Sequence, residues 1–205
     1  MTQRLIKSIA IYCGSNFGNH AQYAVQAKAL GAHLANQQIT LIYGGTRKGL
    51  MGVVADAALE NGGQVIGIIP QNLFEKGQLH PGLKSFEVVE NLQIRKSRME
   101  ILADAFIALP GGYGTLEELF QVLTLIQLEL MDKPCCMMNI ESFYDPLYAM
   151  LINMTNAGFL KKEHMDMLLF ESDVHLVLLK LSQWVRPHVN KWIDPPQGSD
   201  NPVKI

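Results

Sequence analysis

The sequence predicts a doubly wound α/β fold, a mostly parallel sheet with helices on both faces, and three features of the chain predict it. Short runs apolar at nearly every position recur, they alternate with amphipathic stretches of helical length, and glycine-bearing turns follow several of the runs. Strands buried on both faces read as continuous apolar runs, and parallel neighbours need a crossover connection, usually a helix, between them. In such folds ligands sit outside the carboxyl ends of the strands, where those turns feed helix N-termini.

The elements follow in order. Residues 8–14, "SIAIYCG", form the first strand; residues 20–37 carry helical periodicity; residues 39–45, "ITLIYGG", form the second strand. A helix over 50–60 ends at "NGG", whose glycines suit a C-terminal cap, and "QVIGIIP", residues 64–70, is a third strand stopped by proline. Residues 71–84 read as a surface loop. "SFEVVE" is a short strand, 91–103 a helix, "AFIALP" at 105–110 a strand, and 115–131 another helix. "KPCCMMNI" supplies one more strand, helices follow near 145–157 and 173–184, and "LLFES" between them is the last strand. This rhythm predicts one Rossmann-like domain over residues 1–190 and a flexible tail over 191–205.

Composition narrows the function. The chain of 205 residues is 48% hydrophobic and 18% charged with a formal net charge of −2, which gives no footprint for nucleic acid or an anionic membrane. Apolar runs stay below the roughly 18 residues needed to span a bilayer, and the N-terminal stretch lacks a cleavage site. A soluble, cytoplasmic protein is expected. Cys13, Cys135 and Cys136 form no C-x-x-C spacing, and the histidines form no H-x-x-x-H pattern, so neither a disulfide framework nor a metal site is predicted.

Three glycine-bearing loops occupy the ligand-binding position: "CGSN" after the first strand, "GGTRKGLMG" after the second and "PGGYGT" after the fifth. Glycine lets an anion approach backbone N–H groups, and the following helix adds its unpaired donors and positive dipole end. None of these loops matches G-x-G-x-x-G or the P-loop spacing, so one phosphate of a mononucleotide is the economical expectation. The glycines also suit a plain strand-to-helix turn, with Thr115 as N-cap and Glu118 closing a capping box. At 100° per residue, Leu119, Phe120, Leu123, Ile126 and Leu130 fall around a core face. Glu117 falls with Gln121 and Thr124 on a polar strip. Glu118 falls with Val122 and Leu125 on a second apolar flank, which makes it the more enclosed carboxylate and suggests contact with a partner chain. In the helix before, Arg95, Arg98 and Met99 share one face while Lys96 points elsewhere.

"RKSRM" followed by "AFIALPGGYGTLEELF" resembles the signature of the Lonely Guy (LOG) family of cytokinin-activating phosphoribohydrolases, often mislabelled lysine decarboxylases, which pairs Arg-Lys with P-G-G-x-G-T-x-x-E. The likeness extends over roughly residues 8 to 185. The residues before the pair, "LQI", and Thr46 after the second strand depart from the family's usual choices. The resemblance implies hydrolysis of the N-glycosidic bond of an adenine-type nucleoside 5′-monophosphate, without a cofactor, by a homodimer. It implies Glu118 and Arg95 as the catalytic pair, Gly111, Gly112, Tyr113, Gly114 and Thr115 as the phosphate site, and Lys96, Thr124, Gly45 and Thr46 as further substrate contacts. Cleavage builds positive charge on the ribose, which a carboxylate stabilises while it orients or deprotonates water. Arginine stays protonated at neutral pH, so Arg95 orients Glu118 or stabilises charge. A non-catalytic carrier of a nucleotide or of molybdenum cofactor, on a related fold with a similar glycine loop, is the alternative expectation.

Overall fold

The structure, a computed structural model, describes residues 3–193. Seven strands form one sheet: β1 (Ser8–Tyr12), β2 (Thr40–Tyr43), β3 (Val65–Pro70), β4 (Ser85–Val89), β5 (Ala105–Ala108), β6 (Cys135–Met138) and β7 (Leu168–Glu171). Their order is β4-β3-β2-β1-β5-β6-β7 and every pairing is parallel. The chain therefore winds outwards in one direction from β1 and then in the other from β5. The crevice where the direction reverses lies between the carboxyl ends of β1 and β5, where a doubly wound fold binds its ligand.

Strand periodicity sorts the core into two layers. Ile9, Ile11 and Cys13 point to one side and join α1 (Ala21–Asn36), α2 (Gly49–Glu60) and, further along, α8 (Val174–Gln183). Ala10 and Tyr12 point to the other and meet α4 (Leu92–Leu102), α5 (Tyr113–Gln127) and α6 (Asp145–Asn156). Both layers are closed by short pieces: α3 (Gln71–Glu75), α7 (Lys162–Met165) and a 3₁₀ turn at Ile140–Ser142. Helix starts are capped where the sequence offers a carbonyl oxygen. Asn91 accepts from Ile94 N at 2.9 Å at the start of α4, and Asp173 accepts from His175 N at 2.7 Å at the start of α8.

One glycine sets the spacing of the first layer. A Cβ on Gly31 would stand 2.3 Å from the Val54 carbonyl oxygen and 3.0 Å from Ala57 Cβ, so α1 and α2 touch backbone to backbone there. Gly31→Ala should destabilise the fold by about 1–3 kcal/mol through overpacking. The check is a lower denaturation midpoint at an unchanged m-value.

Three expectations need correction. Residues 71–84 are more than a loop: α3 occupies their start, Leu79 bridges Thr46, and His80 and Leu83 are buried. The apolar spacing there was too short to signal a helix. Second, α5 begins at Tyr113 with Gly112 as its extended N-cap and no side-chain cap, so Thr115 lies inside the first turn and does not cap it. Third, the buried face of α5 runs through Thr115, Glu118, Leu119, Val122 and Ile126. Val122 on the second flank thus packs on its own sheet, while Leu125 on the same flank is half-buried. Leu130 is 71% exposed because the helix ends at Gln127 and Glu129 turns left-handed at φ 59°. Of the predicted tail, residues 194–205 lie outside the described residues.

Candidate active site

The loops leaving β1 and β5 are stitched together. Leu109 N donates to Tyr12 O at 2.9 Å, Gly14 N donates to Pro110 O at 3.0 Å, and Leu50 N at the start of α2 donates to Gly14 O at 3.0 Å. Tyr144 braces the end of β5 from below, its hydroxyl donating to Leu109 O at 2.7 Å. Between the two loops opens a cavity of about 420 Å³. One wall is the glycine turn from Pro110 to Thr115, and opposite it stand Gly14, Ser15 and Asn16, with Met51 and Phe143 among the apolar side chains. Arg95 and Glu118 form its floor.

The glycine turn has the chemistry of an anion site. The first residues of a helix have N–H groups without intrahelical acceptors, and the helix dipole concentrates positive charge there. Gly111 is packed so closely on Thr115 and Gly14 that any side chain would collide, whereas Gly112 and Gly114 have nothing within 4 Å of a Cβ position. The turn is therefore tight at its root and open on its ligand face. Tyr113 stands at the rim, 95% exposed.

Beneath this turn lies a buried ion pair. Arg95 Nη1 stands 3.0 Å from Glu118 Oε1, yet off the donor axis, so that oxygen has no hydrogen-bond donor. A buried carboxylate oxygen without a donor is open to a hydroxyl or a water of a bound ligand. The guanidinium is fixed by its Nε, which donates to Ile68 O at 3.2 Å, and by Gly44, where a Cβ would come within 2.4 Å of Nη2. Burial pushes the Glu118 carboxyl above its ordinary range; Arg95 and Lys96 pull it back and Glu117 adds to the rise. Burial also raises the neighbouring Tyr12 hydroxyl and Cys13 thiol, which leaves both protonated at neutral pH.

Of the predicted site residues, Arg95, Glu118, Gly111, Gly112, Tyr113, Gly114 and Thr115 come together in this cavity. The other four do not line it. Gly45 adopts φ 77° and its carbonyl accepts from His80 N at 2.9 Å, while Thr46 is buried against Leu79, so both hold the 71–84 segment to β2. Lys96 is turned to Glu117, with which it pairs. Thr124 lies further along α5, its hydroxyl donating to Phe120 O at 2.7 Å, and borders a separate groove with Leu123 and His164. Gly14, Ser15 and Asn16 also line the cavity, although only their loop, and none of them singly, is expected at the ligand-binding position. Their signal was the loop "CGSN" at the end of the first strand, and only the strand order places that loop opposite the glycine turn. Among the described residues no three His, Cys, Asp or Glu side chains converge as a metal site requires.

Comparison with known proteins places the chain. Residues 51–181 match the family described as "Possible lysine decarboxylase". A cytokinin riboside 5′-monophosphate phosphoribohydrolase of Rhodococcoides fascians is 42% identical over 75% of this chain and 78% of its own length. A probable cytokinin riboside 5′-monophosphate phosphoribohydrolase of Oryza sativa subsp. japonica is 38% identical over 88% of this chain and 81% of its own. Among solved structures, the molybdenum cofactor carrier protein of Chlamydomonas reinhardtii superposes with a TM-score of 0.65 at 18% identity, over 86% of this chain and 96% of that one. That likeness is one of fold.

Proposed function

The chain belongs to the Lonely Guy (LOG) family, and on that premise we propose that it hydrolyses the N-glycosidic bond of cytokinin riboside 5′-monophosphates, and of AMP, to the free base and ribose 5-phosphate. The observation that carries this reading is one cavity holding both an anion-binding helix start and, beneath it, a buried carboxylate with a free oxygen. The 5′-phosphate binds the N–H groups of residues 111–115, and its position brings C1′ over Glu118. A water oxygen joins C1′ as the bond to N9 breaks with its electron pair going to the base, and the base takes up a proton. Ionised Glu118 stabilises the oxocarbenium-like transition state and deprotonates the water. Arg95 orients the carboxylate.

No helix among the described residues is long and apolar enough to cross a membrane. Three buried free cysteines support a reducing compartment, the cytoplasm. The homodimer implied by the family resemblance belongs to the same proposal. A carrier would bind the same nucleotide and release it unchanged. Incubating the protein with AMP and with isopentenyladenosine monophosphate should yield ribose 5-phosphate from at least one, and neither dephosphorylated nucleoside should be cleaved at a comparable rate. Tight binding of both nucleotides without any ribose 5-phosphate would replace the hydrolase with the carrier.

A further inference from the structure

Lys96 stands beside the cavity without entering it. It is buried, and its Nζ pairs with Glu117 Oε1 across the gap between α4 and α5. One turn further along both helices Gln121 Nε2 donates to Glu100 Oε1. Both contacts join residues 21 apart in sequence, and their members are spaced i, i+4 on each helix. That constant offset follows from two helices running the same way over one face of a parallel sheet. Lys133 fixes the outer end of the ladder, its Nζ donating to Glu100 O at 2.7 Å.

The ladder's inner rung is sequence-adjacent to the reacting pair on both helices: Lys96 follows Arg95, and Glu117 precedes Glu118. An advance of one residue turns the side chain by about 100°, so the rung faces the interhelical gap while Arg95 and Glu118 face the cavity. The Arg95–Glu118 contact lacks a well-aligned hydrogen bond and does not lock itself. Its geometry depends on what holds the two helices at that height. Resting on the assignment of Arg95 and Glu118 above, we propose that Lys96 is a positioning residue and not a substrate ligand: its ion pair with Glu117 is a strut between α4 and α5 that keeps Arg95 against Glu118.

The test uses Lys96→Met, Glu117→Gln, the double variant and Lys96→Arg in the full chain. The groups facing Glu118 are Arg95 and Lys96 from α4, Glu117 from α5, Tyr12 at the end of β1 and Cys13 just after it. Lys96 lowers the protonation of Glu118 and Glu117 raises it. Each single variant should lower kcat about tenfold, as a small misplacement of reacting groups does, with KM within about twofold. The double variant should be no slower than the slower single, because both remove one contact. Lys96→Arg, which can keep the pair, should retain kcat.

Charge removal alone would move the acid limb of the kcat profile to higher pH in Lys96→Met and to lower pH in Glu117→Gln. The strut predicts a rise in both, because each variant also loosens Arg95, which holds the Glu118 carboxyl down more strongly than Glu117 lifts it. An NMR titration of the Glu118 side-chain carboxyl in ligand-free protein should show the same shared rise. That readout decides the strut even if the wild-type protein cleaves no nucleotide, an outcome that would overturn the reaction alone. A tenfold or larger rise in KM for Lys96→Met with kcat intact would make Lys96 a substrate contact and overturn the strut. Full kcat in both single variants, or titrations displaced in opposite directions as charge removal alone would give, would overturn it as well.

Discussion

Replacing Glu118 with glutamine is expected to lower kcat about 10²- to 10⁴-fold, the range that loss of a general base commonly costs, while leaving the protein folded and as stable as before or more so. The two effects share one cause. In the wild-type protein burial raises the Glu118 carboxyl above its ordinary value of 4.5. A group whose folded pKa is raised stabilises the fold fully at pH below its unfolded value, and that contribution is lost as pH rises through the folded pKa. At neutral pH the buried carboxylate is therefore a cost that glutamine removes, while its amide oxygen keeps a place beside Arg95. The same shift sets the rate profile. The reaction uses ionised Glu118, so wild-type kcat should fall on the acid side at a pH above the ordinary carboxylate range, and Glu118→Gln should lose that limb together with its activity. Thermal unfolding and a pH series of ribose 5-phosphate release check both halves. A Glu118→Gln variant with wild-type kcat would remove the carboxylate from the mechanism.

The order of elements was legible because strands buried on both faces leave unbroken apolar runs, as "AFIALP" and "ITLIYGG" do. The pairing of Arg95 with Glu118 was legible only through resemblance. The helical spacing of "RKSRM" puts Arg95 and Lys96 on different faces but does not say which of the two faces the cavity. That choice is made by Gly44, whose missing side chain leaves room for the guanidinium, and by Glu117, which draws the lysine outwards. Both lie far from 95 and 96 in sequence. The helix face was misjudged for a related reason. On α5 the buried side runs through Thr115, Glu118, Leu119, Val122 and Ile126. The enclosed Glu118 was therefore legible, while the core face drawn through Phe120, Leu123 and Leu130 lies a step round the helix from the true one. Polar residues kept on a buried face are the local inconsistency expected at a functional site.

Gly111→Ala should raise KM for the nucleoside monophosphate about ten- to a hundredfold, with a smaller change in kcat. Its Cβ would stand 2.1 Å from Thr115 Oγ1, and rotating that hydroxyl away would not relieve the clash. Thr115 Cβ and Gly14 N would each remain at 2.8 Å, and Gly14 N is backbone already donating to Pro110 O. The loop must therefore shift, and the N–H groups at the start of α5 lose their common aim. A hydrogen bond to a charged group contributes about 1.5–3 kcal/mol, and each 1.4 kcal/mol is about tenfold in affinity, so misdirecting one donor accounts for the expected loss. Gly112→Ala separates packing from ligand approach, because a Cβ there meets nothing within 4 Å in the free protein. It should leave thermal unfolding unchanged while Gly111→Ala lowers it. If Gly111→Ala matched the wild type in both KM and unfolding temperature, the root of the turn would not be what aims the donors, and the phosphate would have to be sought elsewhere in the cavity.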